Sequence, residues 1–206
     1  MHLVDQSYEI TRWDPITDLH EICEAARLCY AASDLTEMDD ITKFLERLRN
    51  DGHFTPFEHS ILSVIFVTNR GVTHELVRHR LASYNQESTR YCNYSKDKFG
   101  NSVAFIRDTS LVDDNDKQEW LRDCELCEER YFARLNRGCT PDRARGVLNN
   151  DVRTRIKVTA NYREWRHIFK LRCDNKKVHY QMAELLSPLL DEVKNGIPVV
   201  FDDIQY

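Results

Sequence analysis

Hydrophobic positions recur along the chain with two different periods. The segments "ITDLHEICEAARLCY" (16–30) and "TEMDDITKFLERLRN" (36–50) have apolar residues at helical spacing, whereas "HSILSVIFVT" (59–68) is rich in β-branched residues. A shorter run, "HLVDQSYEI" (2–10), precedes them. These patterns predict a short strand, two amphipathic helices and a half-buried strand.

The remaining patterned segments predict further helices and one more strand. They are a short helix "VTHELVRHR" (72–80), a long helix "DNDKQEWLRDCELCEERYFARLNRG" (114–138), a strand "RIKVTAN" (155–161), and helices "REWRHIFKLRC" (163–173) and "KVHYQMAELLSPLLDEVKNG" (177–196). Gly138 and Gly196 are predicted helix ends. The order is mixed, so we expect an α/β or α+β fold with a central mixed sheet flanked by helices.

Length and composition favour a single domain spanning residues 1–206. The chain is 41% hydrophobic, which suits one well-buried core, and no repeat or low-complexity run interrupts it. The N-terminus has no basic flank followed by a long apolar run, and apolar runs elsewhere are as short as "VIFV". We therefore expect a cytoplasmic protein with no membrane partner.

The cysteines indicate reduced thiols. Seven of them, an odd number, are scattered along the chain without a secretion signal. Cys124 and Cys127 form a C-x-x-C inside the long predicted helix, where this spacing places both on one face. We expect them to pack against a core rather than to bind zinc or perform redox chemistry.

Charge is distributed unevenly around a net value of −5. Residues 113–129 are strongly acidic, whereas residues 141–177 carry seven arginines and four lysines against four acids. A nucleic-acid partner would favour a net basic chain with exposed lysines, but arginine dominates here. This balance favours a small anionic ligand and no nucleic acid.

The segment "HFTPFEH" (53–59) contains side chains that are able to bind metal ions. His53, Glu58 and His59 flank a proline turn, but their spacing is not that of a known ligand set. We expect no metal site, and we expect His59 to be a structural residue at the start of a strand.

Two polar clusters are the strongest candidates for chemistry. "RHRLASYNQESTRY" (78–91) holds three arginines among hydroxyls and amides, which suits an anionic, oxygen-rich ligand. "TANYREWRHIFKLR" (159–172) places further arginines at helical spacing. The alternatives are a solvated helix face for the first cluster and a surface salt-bridged to the acidic 113–129 segment for the second.

Together these segments resemble the flavin-dependent thymidylate synthases. "RHRLASYNQES" matches the R-H-R, seven residues, S signature of that family, and "ESTRY" extends the match. "HFTPFEH" before it, and "ARGVL" and "NYREWRHIFKLR" after it, resemble other blocks of the family in the same order. The resemblance implies an α/β homotetramer whose active sites are shared between subunits.

The resemblance also implies a reaction. Such an enzyme makes dTMP from dUMP, with methylenetetrahydrofolate as the carbon donor and NADPH-reduced FAD as the hydride source, and it needs no cysteine nucleophile. The chain lacks a G-x-G-x-x-G motif, so FAD is not expected in a Rossmann domain. Two alternatives stay open: a related enzyme that delivers another one-carbon group to C5 of dUMP, and a non-catalytic nucleotide-binding protein.

The residues that match the family's sites follow from the resemblance alone. The catalytic positions are Arg172, which would favour ionisation at N3 of the uracil, with His53 near folate and flavin, and Ser88 at the phosphate. The dUMP contacts fall on Glu75, Leu76, Val77, Arg78, Gln86, Glu87, Ser88, Thr89, Arg90, Arg145 and Arg172. The FAD contacts fall on Thr55, Arg78, His79, Arg80, Gln86, Asn161, Arg163 and His167.

A few positions depart from the commonest family pattern. Glu75 stands where glutamine is frequent, Gln86 and Glu87 stand where many members have glutamate first, and His167 stands where some have asparagine. Exchanging a carboxylate for an amide changes which hydrogen bonds a side chain makes. We interpret these departures as tolerated variation, although the first two change the hydrogen-bonding groups that are offered to the uracil edge and the flavin.

Overall fold

A computed structural model describes residues 1–33, 35–173 and 178–206. The strands are β1 (His2–Val4), β2 (Ser7–Arg12), β3 (Ile61–Asn69), β4 (Ala82–Gln86), β5 (Ala104–Ile106) and β6 (Arg153–Asn161). The helices are α1 (Pro15–Leu28), α2 (Met38–Asn50), α3 (Arg70–Leu76), α4 (Asp114–Asn136), α5 (Pro141–Ala144), α6 (Tyr162–Arg172), α7 (Tyr180–Gly196) and α8 (Pro198–Phe201). Mixed helices and strands confirm the predicted α/β class.

The strands form two sheets. The smaller sheet pairs β1 and β5 in parallel, with His2 opposite Ala104 and Val4 opposite Ile106. The larger sheet has the order β2-β3-β6-β4. Its strand β6 alternates buried and more exposed residues, as the side-chain period of two in a strand requires.

The chain divides into two compact units. Unit 1 comprises residues 1–7, 66–78 and 85–156, and unit 2 comprises residues 8–65, 79–84 and 157–206. The prediction of a single domain stays a prediction.

Helix α4 packs on the core of unit 1. The buried residues of this core are Tyr94, Val103, Phe105, Cys124, Tyr131, Ala144 and Val152. Glu128 of α4 accepts a hydrogen bond from Val103 N at 2.7 Å and pairs with the N-terminal ammonium at 2.5 Å. Gly138 ends α4 at φ +85°, a left-handed conformation in which a Cβ is costly.

Aromatic rings on α6 and α8 organise the core of unit 2. Trp165 stacks on Phe169, which in turn contacts Phe201 edge to face. The Trp165 indole N–H donates to Leu62 O on β3 at 3.0 Å, which satisfies its one buried donor. This packing fixes α6, and with it the arginine-rich cluster at 159–172.

The predicted helices and strands are confirmed with small shifts at their ends, apart from two differences. The prediction of one strand over residues 2–10 is wrong, because Asp5 and Gln6 separate β1 from β2 and the two strands join different sheets. The short helix predicted over 72–80 runs from Arg70 to Leu76, and strand β4 lies in the polar segment that follows. The predicted start of the last long helix at Lys177 lies outside the described residues.

The C-x-x-C cysteines pack against the core of unit 1, as predicted. Cys124 is fully buried in it and Cys127 packs against the same cluster. Burial raises the pKa of the Cys124 thiol to about 12, so this thiol is a poor nucleophile at neutral pH. In the part of the chain that the structure describes, no helix combines the length and hydrophobicity needed to cross a bilayer.

Candidate active site

The central histidine of the RHR segment is turned inward. His79 is 5% exposed, whereas Arg78 and Arg80 on either side of it are exposed. The Tyr84 hydroxyl donates to the His79 carbonyl at 2.8 Å and closes the turn that leads into β4. The imidazole is therefore held inside unit 2.

His79 meets three polar side chains of α6. Arg172 Nε donates to His79 Nε2 at 3.2 Å, and His79 Nδ1 lies 4.0 Å from Glu164 Oε1. The His167 ring contacts the His79 ring edge to face, with the centroids 5.7 Å apart. Helical spacing places these α6 residues within reach of one imidazole.

Burial dominates the electrostatics of this group. It lowers the pKa of His79 to about 4, and the Arg172 and His167 charges act in the same direction. It also raises the pKa of Glu164, although His167 and a hydrogen bond from the Leu81 backbone N–H oppose that shift. His79 is therefore neutral at pH 7.

A cavity of about 500 Å³ adjoins this group in unit 2. Three of the predicted FAD contacts line it, namely Asn161, Arg163 and His167. Glu164 and Leu81 complete much of the wall, and the Leu81 side chain is 76% exposed. Three of the predicted FAD contacts thus line one cavity.

The turn over residues 53–59 belongs to unit 2 and contributes one residue to the wall of this cavity. Thr55 and His53 are exposed, and Thr55 begins a 3₁₀ turn that runs to Glu58. Glu58 lines the cavity and forms an ion pair with Arg163 at 2.6 Å. His59 is exposed at the end of this turn, before β3.

The salt-bridged-surface interpretation of the 159–172 cluster is wrong for its central arginine. Arg166 is 3% exposed and makes a two-point ion pair with Asp203 at 2.7 and 2.6 Å. Arg163 pairs with Glu58. Both carboxylate partners lie in unit 2, whereas the acidic 113–129 segment belongs to unit 1.

Unit 1 contains a second, smaller cavity of about 210 Å³ with two guanidinium groups in its wall. Arg145 Nη1 donates to Thr89 Oγ1 at 2.9 Å, and both residues were predicted dUMP contacts. Arg70 lines the same cavity, and its Nη2 donates to the Glu87 carbonyl at 2.5 Å. His74 and the 148–150 segment form much of the rest of the wall.

The charges at this cavity are poorly compensated. Burial lowers the pKa of the Arg70 guanidinium, and the Arg145 charge acts in the same direction, whereas Tyr94 and Glu87 oppose the shift. Within the described residues, no carboxylate lies within ion-pair distance of Arg70 or Arg145, and the buried Arg70 Nε has no hydrogen-bond partner. Two guanidinium groups that line one cavity without an ion-pair partner in the described part of the chain suit an external anion.

The other predicted dUMP contacts of unit 1 lie on α3 and around the end of β4. Gln86 donates to Thr73 Oγ1 at 2.9 Å, and Glu87 forms an ion pair with Arg153 at 2.8 Å. Ser88 Oγ accepts from Arg90 N at 3.3 Å in the turn after β4.

The remaining predicted dUMP contacts, Glu75 to Arg78, lie at the end of helix α3 and in the two residues that follow it. Leu76 is fully buried and exposes no atom to a ligand in this chain, whereas Val77 is 38% exposed.

The predicted site residues are thus divided between the two units. Arg172, predicted to contact dUMP, belongs to the unit 2 cluster with the predicted FAD residues, whereas Arg145 and Thr89 belong to unit 1. Among residues 1–33, 35–173 and 178–206, no group of three or more His, Cys, Asp or Glu side chains is arranged to hold a metal ion.

Two residues at these clusters were not predicted from the sequence. Arg70 follows the last residue of β3, where nothing in the hydrophobic pattern distinguishes it from a solvated helix start. Glu164 lies in a helix rich in charged residues, yet it is 6% exposed. A glutamate three residues after the N-cap Asn161 is a known helix-capping signal. Its position in the sequence is therefore explained by helix capping and indicates no role at the site.

Comparisons with known proteins agree on one family. The family model described as Thymidylate synthase complementing protein matches residues 15–199. The Flavin-dependent thymidylate synthase of Geobacter sulfurreducens is 34% identical over 186 residues, covering 87% of this chain and 78% of that protein. That of Pyrococcus furiosus is 33% identical over 158 residues, covering 75% and 63%.

A solved structure shares the fold. The UMP/dUMP methylase PolB from Streptomyces cacaoi, bound with 5-Br dUMP, superposes with a TM-score of 0.81 at 22% identity, covering 98% of this chain and 96% of that one. The family match spans both clusters of site residues. The chain therefore belongs to the Thymidylate synthase complementing protein family, the flavin-dependent thymidylate synthases.

Proposed function

We propose that this protein makes dTMP from dUMP, with methylenetetrahydrofolate as the carbon donor and NADPH-reduced FAD as the hydride source. One observation carries the proposal: several residues predicted to bind FAD or dUMP line cavities whose chemistry suits those ligands. The predicted FAD residues of α6 line the cavity of unit 2, and Thr89 and Arg145 line the cavity of unit 1.

The unit 1 cavity suits the phosphate of dUMP. Arg145 and Arg70 line this cavity with guanidinium groups and Thr89 adds a hydroxyl, so the three residues offer donors to an anion that brings the compensating charge. Phosphate favours such charged, planar donors, because two N–H groups of one guanidinium can bind two of its oxygens. We add Arg70 to the phosphate-binding residues.

The unit 2 cavity suits a flavin. Arg163 offers a guanidinium for an anionic group, Asn161 and His167 offer hydrogen-bonding groups, and exposed Leu81 offers an apolar surface for a flat ring. Bound FAD supplies the hydride that completes the methyl group. The chain itself binds and orients the reactants.

Arg172 is the residue that we assign to activation of the uracil. A guanidinium placed at N3 stabilises negative charge there, and that charge raises the electron density at C5. His79 Nε2 accepts the Arg172 Nε–H and holds the guanidinium at a fixed angle. We assign exposed His53 to the region of folate and flavin, and Ser88 to the phosphate.

Assembly and location complete the proposal. We propose a homotetramer with shared active sites, as the family resemblance implies, and a cytoplasmic location, where dUMP and NADPH are available. An isolated chain would then lack part of each site, and sedimentation that showed a fully active monomer would contradict this assembly.

An omission assay tests the proposed reaction. Purified protein is incubated with dUMP, methylenetetrahydrofolate, NADPH and FAD, and dTMP is measured by chromatography with each component left out in turn. We expect dTMP only when all four are present. Formation of dTMP without FAD would exclude the proposed hydride source, and tight dUMP binding without product would favour a non-catalytic protein.

A further inference from the structure

Glu164 connects the start of α6 to the RHR segment. It is the third residue of α6, and its backbone N–H is capped by Asn161 Oδ1 at 2.9 Å. Its buried carboxylate accepts a hydrogen bond from the Leu81 backbone N–H and lies 4.0 Å from His79 Nδ1. Burial raises the pKa of this carboxyl, whereas the hydrogen bond from Leu81 and the His167 charge favour its ionised form.

The contact between Arg172 and His79 decides where the imidazole carries its proton. A guanidinium N–H can only donate, so His79 Nε2 must accept and carries no proton. A neutral imidazole then has its proton on Nδ1, the nitrogen that faces Glu164. The two neighbours of His79 therefore favour the same tautomer.

We propose that Glu164 is a positioning residue, whose carboxylate keeps His79 in the Nδ1–H tautomer so that Nε2 stays free to orient Arg172. The part about Arg172 rests on the proposed function, because Arg172 matters only if it acts on the uracil. The part about the tautomer does not. A carboxylate that fixes a histidine tautomer so that the other ring nitrogen can act is a recurring device in enzymes.

Other groups around His79 leave this tautomer in place at neutral pH. Within the described residues, the titratable and charged side chains that face its ring are Glu164, His167 and Arg172, all on α6, and the Tyr84 hydroxyl donates to its backbone carbonyl. Burial, Arg172 and His167 together lower the pKa of His79 to about 4. The carboxylate therefore selects between two neutral forms of His79 instead of charging it.

Nitrogen-15 NMR of protein labelled at histidine reads the tautomer directly. We would record solid-state spectra of the FAD-loaded protein at pH 7 without substrate, and assign His79 by the signals lost in His79→Gln. The wild-type spectrum should show a single neutral His79 with its proton on Nδ1. In Glu164→Gln, which keeps the side-chain size and an acceptor for Leu81 but removes the charge, a mixture of the two tautomers should appear.

Glu58→Gln is the matched control for the NMR experiment. It removes the other carboxylate that lines the same cavity, and it should leave the His79 tautomer unchanged. A wild-type His79 protonated on Nε2, or an unchanged tautomer in Glu164→Gln, would overturn the proposal. Because no substrate is present, failure of the wild type to make dTMP would count against the proposed function alone.

Kinetics test the link from His79 to Arg172. Glu164→Gln should lower kcat about 10-fold or more and change the dUMP KM less than about 3-fold, since substrate binding is retained. In a His79→Gln background, where no tautomer exists to select, Glu164→Gln should add little further loss. Full additivity of the two changes, or an altered tautomer with normal kcat, would remove the positioning role.

Discussion

Replacing Arg145 with alanine should weaken dUMP binding without destabilising the fold. The Arg145 side chain is exposed, donates to Thr89 Oγ1, and shares its cavity with half-buried Arg70. The Arg145 charge lowers the pKa of Arg70, so the two guanidinium groups repel each other in the free protein. Removing one of them relieves that repulsion and removes a phosphate donor.

The expected rise in the dUMP Kd depends on the hydrogen bonds that the Arg145 guanidinium donates and on the exposure of this side chain. A hydrogen bond to a charged group contributes about 1.5 to 3 kcal/mol, which corresponds to roughly 10- to 150-fold in Kd. Because Arg145 is exposed, solvent screening favours the lower end, and we expect the dUMP Kd to rise about 10- to 30-fold. The free energy of unfolding should change by less than about 0.5 kcal/mol.

Calorimetric titration of the FAD-loaded protein with dUMP and with deoxyuridine separates the phosphate from the rest of the ligand. Deoxyuridine, which lacks the phosphate, should bind the variant and the wild type equally. Arg143→Ala is the matched control, because this exposed arginine lies two residues away and does not line the cavity. Equal losses for both ligands, or an equal loss in the control, would refute the phosphate assignment.

Three further predictions follow from the clusters and from the packing of unit 2. Arg172→Ala should lower turnover by roughly 100-fold or more while FAD stays bound, as flavin absorbance will show; near-normal turnover would remove its assigned role. Arg166 and Lys170 lower the pKa of Asp203 to about 2, so the Arg166–Asp203 ion pair stabilises the fold above pH ~4. About 1 to 2 kcal/mol of the free energy of unfolding should be lost as the pH falls through about 2. Urea unfolding across this range should show the loss in the wild type and not in Asp203→Asn. A Cβ at Gly196 would overlap the Trp13 ring, so Gly196→Ala should lower Tm by several degrees, and an unchanged Tm would show that Trp13 moves aside.

The helices were the best predicted part of the fold, for a physical reason. Helices α1, α2 and α4 each bury one face, and a sequence period near 3.6 reports such burial directly. Strand β4 was missed because it lies in the polar RHR segment, where alternation of burial is not matched by alternation of hydrophobicity. The split between β1 and β2 depends on which sheet each strand joins, and such long-range pairing leaves no local signal.

The residues of the candidate site were predictable where they belong to a family motif. They were not predictable where their role depends on which side chains the fold buries together. The family resemblance selected Arg145, which lines a cavity, and Arg172, which donates to His79. The resemblance did not indicate that the His79 side chain is buried next to Glu164, because the two residues are 85 positions apart in the sequence. Arg70 was missed for the same reason, since its cavity partner Arg145 is distant in sequence.

The mass of the nucleotide product tests the central claim most directly. Purified protein would be incubated with dUMP, methylenetetrahydrofolate, NADPH and FAD, and the product analysed by high-resolution mass spectrometry. We predict a gain of one methylene unit over dUMP, at the retention time of dTMP and lost when FAD is omitted. A hydroxymethyl product, or unchanged dUMP in the presence of bound FAD and all co-substrates, would contradict the assignment of thymidylate synthesis.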